Sequence, residues 1–396
     1  MSSLRIWFWQ LIISPHMADL AVALARRGCS VTYVAQQAMS EDRAQQGWSA
    51  PNLPGVALQW ADSDEAVHRL VQSAPADSIH VCQGVRANGR VGLAQRVLAA
   101  RGLRQWVVME TVNDAGWMGV LKRLVYARLF RARRATLQGV LATGHRTADW
   151  VVARGMPAAR VYPFAYFLPE NKALLVDQRR SGPFRFVFSG QLISRKRLDW
   201  LIQALAELTD QAFELWIVGS GPEEPALREL AEGKLGVRVR WLGLLPLSEV
   251  PDVMAQTDCL VLPSVHDGWG AVVSEALMTG TPVVCSDACG AAGVVRASGA
   301  GGVFAVDDRA ALAQLLANQL TRGLVTDEAR HQLAVWATCL GATAGAGYLL
   351  EILEHKAIDL SIRPIAPWLA EEHCCAEQVH TGTKLGYNIS NQPLML

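Results

Sequence analysis

The stretch Asp267-Gly268-Trp269-Gly270-Ala271-Val272-Val273-Ser274-Glu275, continued by Ala276-Leu277-Met278-Thr279-Gly280-Thr281-Pro282-Val283-Val284, sets two carboxylates eight residues apart. Glycines follow the first acid, and a helix-like run leads to the second. Leu260-Val261-Leu262 before it and Pro282 to Cys285 after it are apolar runs of strand length. The acids therefore flank a strand-to-loop-to-helix turn at one edge of a sheet. Such a turn can offer free backbone N–H groups, a helix N-terminus and carboxylates to one ligand.

The chain upstream repeats that pattern. Phe184 to Phe188 reads as a strand, 189–197 as a glycine-containing loop and Leu198 to Leu208 as a helix. Phe213 to Val218 is the next strand, closed by Gly219-Ser220-Gly221-Pro222, with a helix from Glu223 to Glu232. Val237 to Leu242, a short helix from Val250 to Gln256 and the strand Cys259 to Pro263 complete the series. Strand, glycine turn and helix in repetition predict a doubly wound domain over 184–345.

The first half, 1–165, predicts a similar Rossmann-like domain. Leu4 to Gln10 is a strand, Ser14-Pro15 an N-cap followed by a first helical residue, and Gly28 a helix stop before the strand Ser30 to Ala35. The intervening loop lacks the glycines of a phosphate-cradling fingerprint, which argues against a dinucleotide site. Further strands at Asp77 to Gly84, Gln105 to Met109 and Val140 to Ala142 place His16, His80 and Glu110 on one inferred rim. Residues 166–183, with Pro169, Gly182 and Pro183, read as the linker, and 346–369 as a terminal helix. The tail 370–396 fits no part of the pattern. Its His373, Cys374, Cys375 and His380 lack structural-zinc spacing, so no metal site is expected.

The whole chain has 396 residues, too many for one ordinary core, and 51% of them are apolar. With 37 basic and 36 acidic residues there is no charge reason to expect nucleic acid as a partner. Eight cysteines without a CxxC pair suit a reducing compartment, and no window of eighteen residues is continuously apolar. The opening apolar run is too early and too brief for a signal peptide. The expectation is a cytoplasmic protein, peripheral at most. Segment 121–134 carries six basic residues and no acid, with Leu121, Leu124, Val125 and Leu129 near helical spacing. It reads either as a helix resting on an anionic membrane surface or as a solvated helix with its apolar stripe in the core.

Gln191, Arg195, Lys196 and Arg197 follow a strand end, and Gly190 and Gly219 permit close backbone approach. Cations beside free N–H groups suit a diphosphate, although a solvated basic helix start has the same local sequence. The acids of the 267–275 turn would repel phosphate, so their natural partners are hydroxyls. Together these features indicate a nucleotide carrying a sugar.

Ser189-Gly190-Gln191-Leu192 with Lys196 and Asp199, Val218-Gly219-Ser220-Gly221-Pro222, Leu242-Gly243, Leu262-Pro263-Ser264 and the 267–284 stretch resemble the ordered signature of family 4 glycosyltransferases of the GT-B fold. The resemblance is specific over about 184–290 and looser in the first half. It implies two Rossmann-like domains facing a cleft, and retaining transfer from a nucleotide-diphosphate sugar to a saccharide or lipid-linked glycan, without cofactor or metal. It further implies that Lys196 binds the diphosphate, Glu275 the ribose hydroxyls, and Asp267 with the Gly268, Trp269 and Gly270 backbone the donor sugar. Gly190, Gln191, Arg195, Gly219, Pro263 and Ser264 are then expected around the nucleotide. His16, His80 and Glu110 are expected near the acceptor hydroxyl or the transferred sugar, and the terminal helix crosses back to the first domain.

Two positions depart from the family: Asp267 stands where Glu is usual, and Gln191 where Arg is usual. Arg195 or Arg197 is left to supply the missing charge. An epimerase of the same fold and a non-catalytic sugar-binding subunit are the alternative readings.

Overall fold

The computed structural model describes residues 3–370 apart from 45, 87, 171–180 and 356–362. The tail, and with it the cysteine–histidine cluster, lies outside the described residues, as does most of the expected linker.

The first half forms a seven-stranded sheet of β1 (Arg5–Gln10), β2 (Ser30–Ala35), β3 (Ala57–Trp60), β4 (Ile79–Gln83), β5 (Arg104–Glu110), β6 (Leu137–Thr143) and β7 (Val161–Phe164). Their order is β3-β2-β1-β4-β5-β6-β7 and every pairing is parallel. Parallel strands need helical crossovers, and helices on both faces bury the strands on both sides. β1 accordingly reads as a continuous apolar run, with Ile6 to Trp9 all buried. Helix Pro15–Arg26 follows it, with Pro15 in the first turn and Gly28 at φ 87° just beyond Arg27. The Ser14 hydroxyl makes no capping bond; the Ser14 carbonyl accepts from the N–H groups of Met17 and Ala18 instead.

The second half forms a six-stranded parallel sheet of β8 (Phe184–Ser189), β9 (Phe213–Val218), β10 (Val239–Gly243), β11 (Cys259–Leu262), β12 (Val283–Ser286) and β13 (Gly301–Phe304). Its order is β10-β9-β8-β11-β12-β13. Strand order reverses beside β1 in one sheet and beside β8 in the other, which opens a crevice at the carboxyl ends of each.

The two halves touch at both ends of that crevice. His145 N–H donates to the Gly290 carbonyl at 2.9 Å, and the Arg146 guanidinium pairs with Asp287. At the other end Leu168 N–H donates to Leu340 O at 3.0 Å, and Ala342 N–H donates to Leu168 O at 2.9 Å. Helix Ala342–Glu354 then lies on helix Pro15–Arg26 of the first half, with the Tyr348 hydroxyl donating to Pro163 O at 2.9 Å and Arg27 to Thr343 O at 3.1 Å.

Helix Gly116–Arg133 corresponds to the basic segment and begins five residues before it. Only Gly119 and Phe130 are fully buried in it, and Leu121 and Leu124 are exposed. The apolar stripe expected from Leu121 and Leu124 is therefore not in the core.

Candidate functional site

A cavity of about 400 Å³ lies between the two sheets at the carboxyl ends of their strands. From the second half, Gly190, Gln191, Arg195, Lys196, Gly219 and the 266–272 turn line it, with Glu275 one helical turn further on. From the first half come His16, Glu110, Tyr166 and the pair Arg43 and Trp48.

Close packing of backbone on backbone builds the wall beneath it. A Cβ on Gly219 would fall 1.9 Å from the Gly190 carbonyl oxygen, and φ is 129° there, so only glycine fits. That packing uses up the backbone donors: Gly190 N–H bonds Val218 O at 3.0 Å and Gly219 N–H bonds Gly243 O at 2.7 Å. The free N–H groups expected at these glycines are thus occupied by the sheet. N–H groups that remain available stand at the start of helix Ala271–Met278, where Ala271 and Val272 line the cavity and have no intrahelical acceptor by position, and at Gln191 and Ser220, which line the cavity and donate no backbone bond among the described residues. A helix N-terminus attracts anions through those N–H groups and its dipole.

Lys196 ends a short turn over Ser194–Lys196 and is buried, and its ammonium pairs with the Asp267 carboxylate. Arg195 lines the cavity and donates to His266 O at 3.0 Å. Arg197 points elsewhere. At φ 53° its guanidinium lies 4.3 Å over the Trp200 ring and pairs with Asp199 at 2.7 Å. Of the two candidates for the missing charge, only Arg195 reaches the cavity.

Glu275 has burial as the sole cause of a carboxyl pKa raised to about 7. Across the cleft Glu110 accepts from the Tyr166 hydroxyl and reaches the turn after Asp267, since a Cβ on Gly268 would sit 1.9 Å from Glu110 Oε2. Surrounding protein raises the Glu110 carboxyl above its usual range; the Asp267 charge pushes the same way and the Tyr166 hydrogen bond opposes it. His16 stacks on Tyr166 at 4.8 Å and meets the edge of Trp48 at 4.9 Å. Burial first, and the Arg43 charge second, lower its pKa to about 4, so the imidazole is neutral at pH 7. Its Nδ1 is buried with no partner among the described residues.

Three expected site residues are placed elsewhere. His80 is the second residue of β4, not a rim residue, and is fully buried. Trp9 Nε1 donates to its Nδ1 at 3.0 Å and its Nε2 meets Ser78 Oγ at 2.9 Å, so it is a satisfied core histidine. Pro263 and Ser264 are buried behind the cavity, where Ser264 O accepts from the Ser286 hydroxyl. Trp269 borders the cavity, but its Nε1 donates to Ser274 Oγ at 3.1 Å and its ring faces Trp368. Arg43, Trp48 and Tyr166 were missed by sequence reasoning. Tyr166 alone carried a signal, as the second residue past a strand's carboxyl end.

This two-sheet arrangement is shared with solved glycosyltransferase structures. The Anabaena protein HepE in complex with UDP superimposes with a TM-score of 0.67 over 88% of this chain and 99% of its own, at 17% identity. The lipopolysaccharide outer core galactosyltransferase WaaB gives a TM-score of 0.65 over 88% of this chain and 99% of its own, at 14% identity. The fold is GT-B. Residues 183–322, the second GT-B half, match the sequence family described as Glycosyl transferases group 1. The 2-deoxystreptamine glucosyltransferase of Streptomyces kanamyceticus is 38% identical over 99 residues, 24% of this chain and 26% of that protein. The amylovoran biosynthesis glycosyltransferase AmsK of Erwinia amylovora is 27% identical over 201 residues, 48% of each chain. The matched stretches thus span between about a quarter and a half of these curated relatives.

Proposed function

We propose that the chain transfers a sugar from a nucleoside diphosphate donor to a hydroxyl of a saccharide or lipid-linked glycan, with retention of anomeric configuration. The observation that carries this reading is the convergence on one cavity of Arg195, Lys196 and the helix N-terminus at Ala271 with the isolated carboxyl of Glu275. The first group suits a diphosphate, the second a pair of ribose hydroxyls. Support also comes from relatives whose names describe sugar transfer and from the UDP-bound structure of the same fold.

In this reading the diphosphate draws Lys196 away from Asp267, and the freed carboxylate accepts hydrogen bonds from the donor sugar. The acceptor oxygen bonds to the anomeric carbon as the bond from that carbon to the phosphate oxygen breaks. The acceptor proton passes to the departing phosphate, so no dedicated base is needed, and stabilisation of the developing negative charge by Lys196 and Arg195 is the larger effect. No metal or cofactor takes part. Glu110 and neutral His16 line the side from which the acceptor approaches. The product belongs to surface polysaccharide or related glycan synthesis at the inner face of the cytoplasmic membrane.

A panel of nucleoside diphosphate sugars with saccharide acceptors tests this reading. A glycoside product with the donor's anomeric configuration, together with released nucleoside diphosphate, is expected. A free, altered sugar would indicate an epimerase, and glycan binding without donor consumption a binding subunit.

A further inference from the structure

We propose that Arg43, with Gln46 and Trp48, selects an acceptor saccharide that carries an anion, a carboxylate or a phosphate, on the first-half side of the cleft. This rests on the transfer reading and adds the acceptor's chemistry to it. Arg43 stands on the short helix Glu41–Ala44 between β2 and β3, and lines the cavity together with Gln46 and Trp48.

One tight turn fixes the guanidinium in place. The Arg43 carbonyl accepts from the Gln46 N–H at 3.0 Å and from the Trp48 N–H at 3.1 Å, so cation, amide and ring move together. The guanidinium lies 4.4 Å over the Trp48 ring, and its Nη1 donates to Gln46 Oε1 at 3.1 Å. Stacking occupies a face of the planar group and leaves N–H donors along its edge for a carboxylate or phosphate. Gly47, at φ 80°, brings the turn against the second half, where a Cβ would fall 3.2 Å from Leu245 O.

The acids of the cavity do not neutralise this cation. Arg43 makes no ion pair among the described residues. Asp267 is paired with Lys196, Glu110 accepts from Tyr166, and Glu275 titrates near 7 through burial alone. A cation without a counter-charge in a ligand cavity points to a ligand that brings one.

That ligand is distinct from the donor diphosphate. Burial chiefly, and then Arg195 and Lys196 against the opposing Asp267 charge, hold His266 below its usual pKa range, and Arg43 has no part in this. Arg43 acts instead on His16, as the second cause after burial of its lowered pKa. From Trp48 the rings of His16 and Tyr166 follow at 4.9 and 4.8 Å, and the row ends at Glu110, which meets the donor turn at Gly268. A wall of rings with a polar group at each end suits a pyranose held by its anion at Arg43 and directed towards the donor at Glu110.

The test is calorimetric titration of the unliganded full chain with methyl glucuronide, glucose 6-phosphate and neutral methyl glucoside. At least one anionic probe should bind more tightly than methyl glucoside by roughly tenfold or more, the scale of one charge-assisted hydrogen bond, and raised salt should narrow the gap. Arg43→Gln should remove the preference, and Arg43→Lys should restore part of it, since lysine keeps the charge without the fork. Thermal melts equal to the parent show that both variants fold, and the tighter anionic probe tells carboxylate from phosphate. No preference in the parent, or one kept by Arg43→Gln, overturns the proposal. So does a preference that Arg195→Ala abolishes and Arg43→Gln does not, which puts the anion at the diphosphate site. Probe binding needs no turnover, so a chain that selects anions through Arg43 yet consumes no nucleoside diphosphate sugar removes only the transfer reading.

Discussion

Lys196 and Asp267 form an ion pair at the base of the cleft, joining the turn after β8 to the turn after β11. Their side chains are only 11% and 13% exposed, so each charge depends on the other in the unliganded protein. Removing one partner strands a charge. Lys196→Met and Asp267→Asn should each destabilise by about 3 kcal/mol, and the double variant by clearly less than the sum. Chemical denaturation of all four proteins checks this, and strictly additive losses would show that the pair does not couple.

Glu275 should make the unliganded protein less stable as pH rises. Its carboxyl titrates near 7 in the fold against a usual 4.5, so between those values the folded state holds more protons than the unfolded one. Stability therefore falls as pH rises through that window. Glu275→Gln should gain up to about 3 kcal/mol over the parent at pH 8 and nothing at pH 4. It should also bind nucleoside diphosphates more weakly. Equal denaturation midpoints at pH 8 would contradict the raised pKa of this half-buried carboxyl.

Arg195, not Arg197, should replace the cation that Gln191 does not provide. Arg195→Ala should weaken binding of a nucleoside diphosphate by roughly tenfold or more, the scale of one charge-assisted hydrogen bond. Arg197→Ala removes its stacking on Trp200 and its pair with Asp199, and should leave affinity within about twofold. Calorimetric titration separates the two, and the reverse order of effects would reassign the charge.

His80 should matter for folding and not for ligands. His80→Ala strips partners from Trp9 and Ser78 in the core and should cost about 3 kcal/mol, with donor affinity unchanged in the protein that remains folded. Burial holds its pKa near 3, so protonation of His80 cannot shape a pH profile around neutrality. A neutral-pH activity limb abolished by His80→Gln would show otherwise.

Much of the second half was legible because β8, β9, β10 and β11 are short, mostly apolar runs closed by Gly190, Gly219, Gly243 and Pro263. β13 was missed: Gly301 and Gly302 are poor strand formers, retained because a Cβ on Gly301 would strike Val283 O at 1.9 Å. β3 was missed as a short edge strand with mostly exposed residues. The donor side of the cavity was readable from Lys196, Asp267 and Glu275, whose spacing within turns is local. The other side was not, because Arg43, Trp48 and Tyr166 meet His16 only through tertiary packing. His80 was placed on the rim because a strand boundary was read, but it stands three residues before the carboxyl end of β4, about 10 Å from the rim.

The cleft as a nucleoside diphosphate site is tested most directly by thermal shift of the full chain against a panel of nucleoside diphosphates. One of them, at about 100 times its dissociation constant, should stabilise the protein by roughly 2.7 kcal/mol, and Lys196→Ala should erase that gain. A Lys196→Ala protein stabilised as much as the parent, or a parent that no nucleoside diphosphate stabilises, would contradict it.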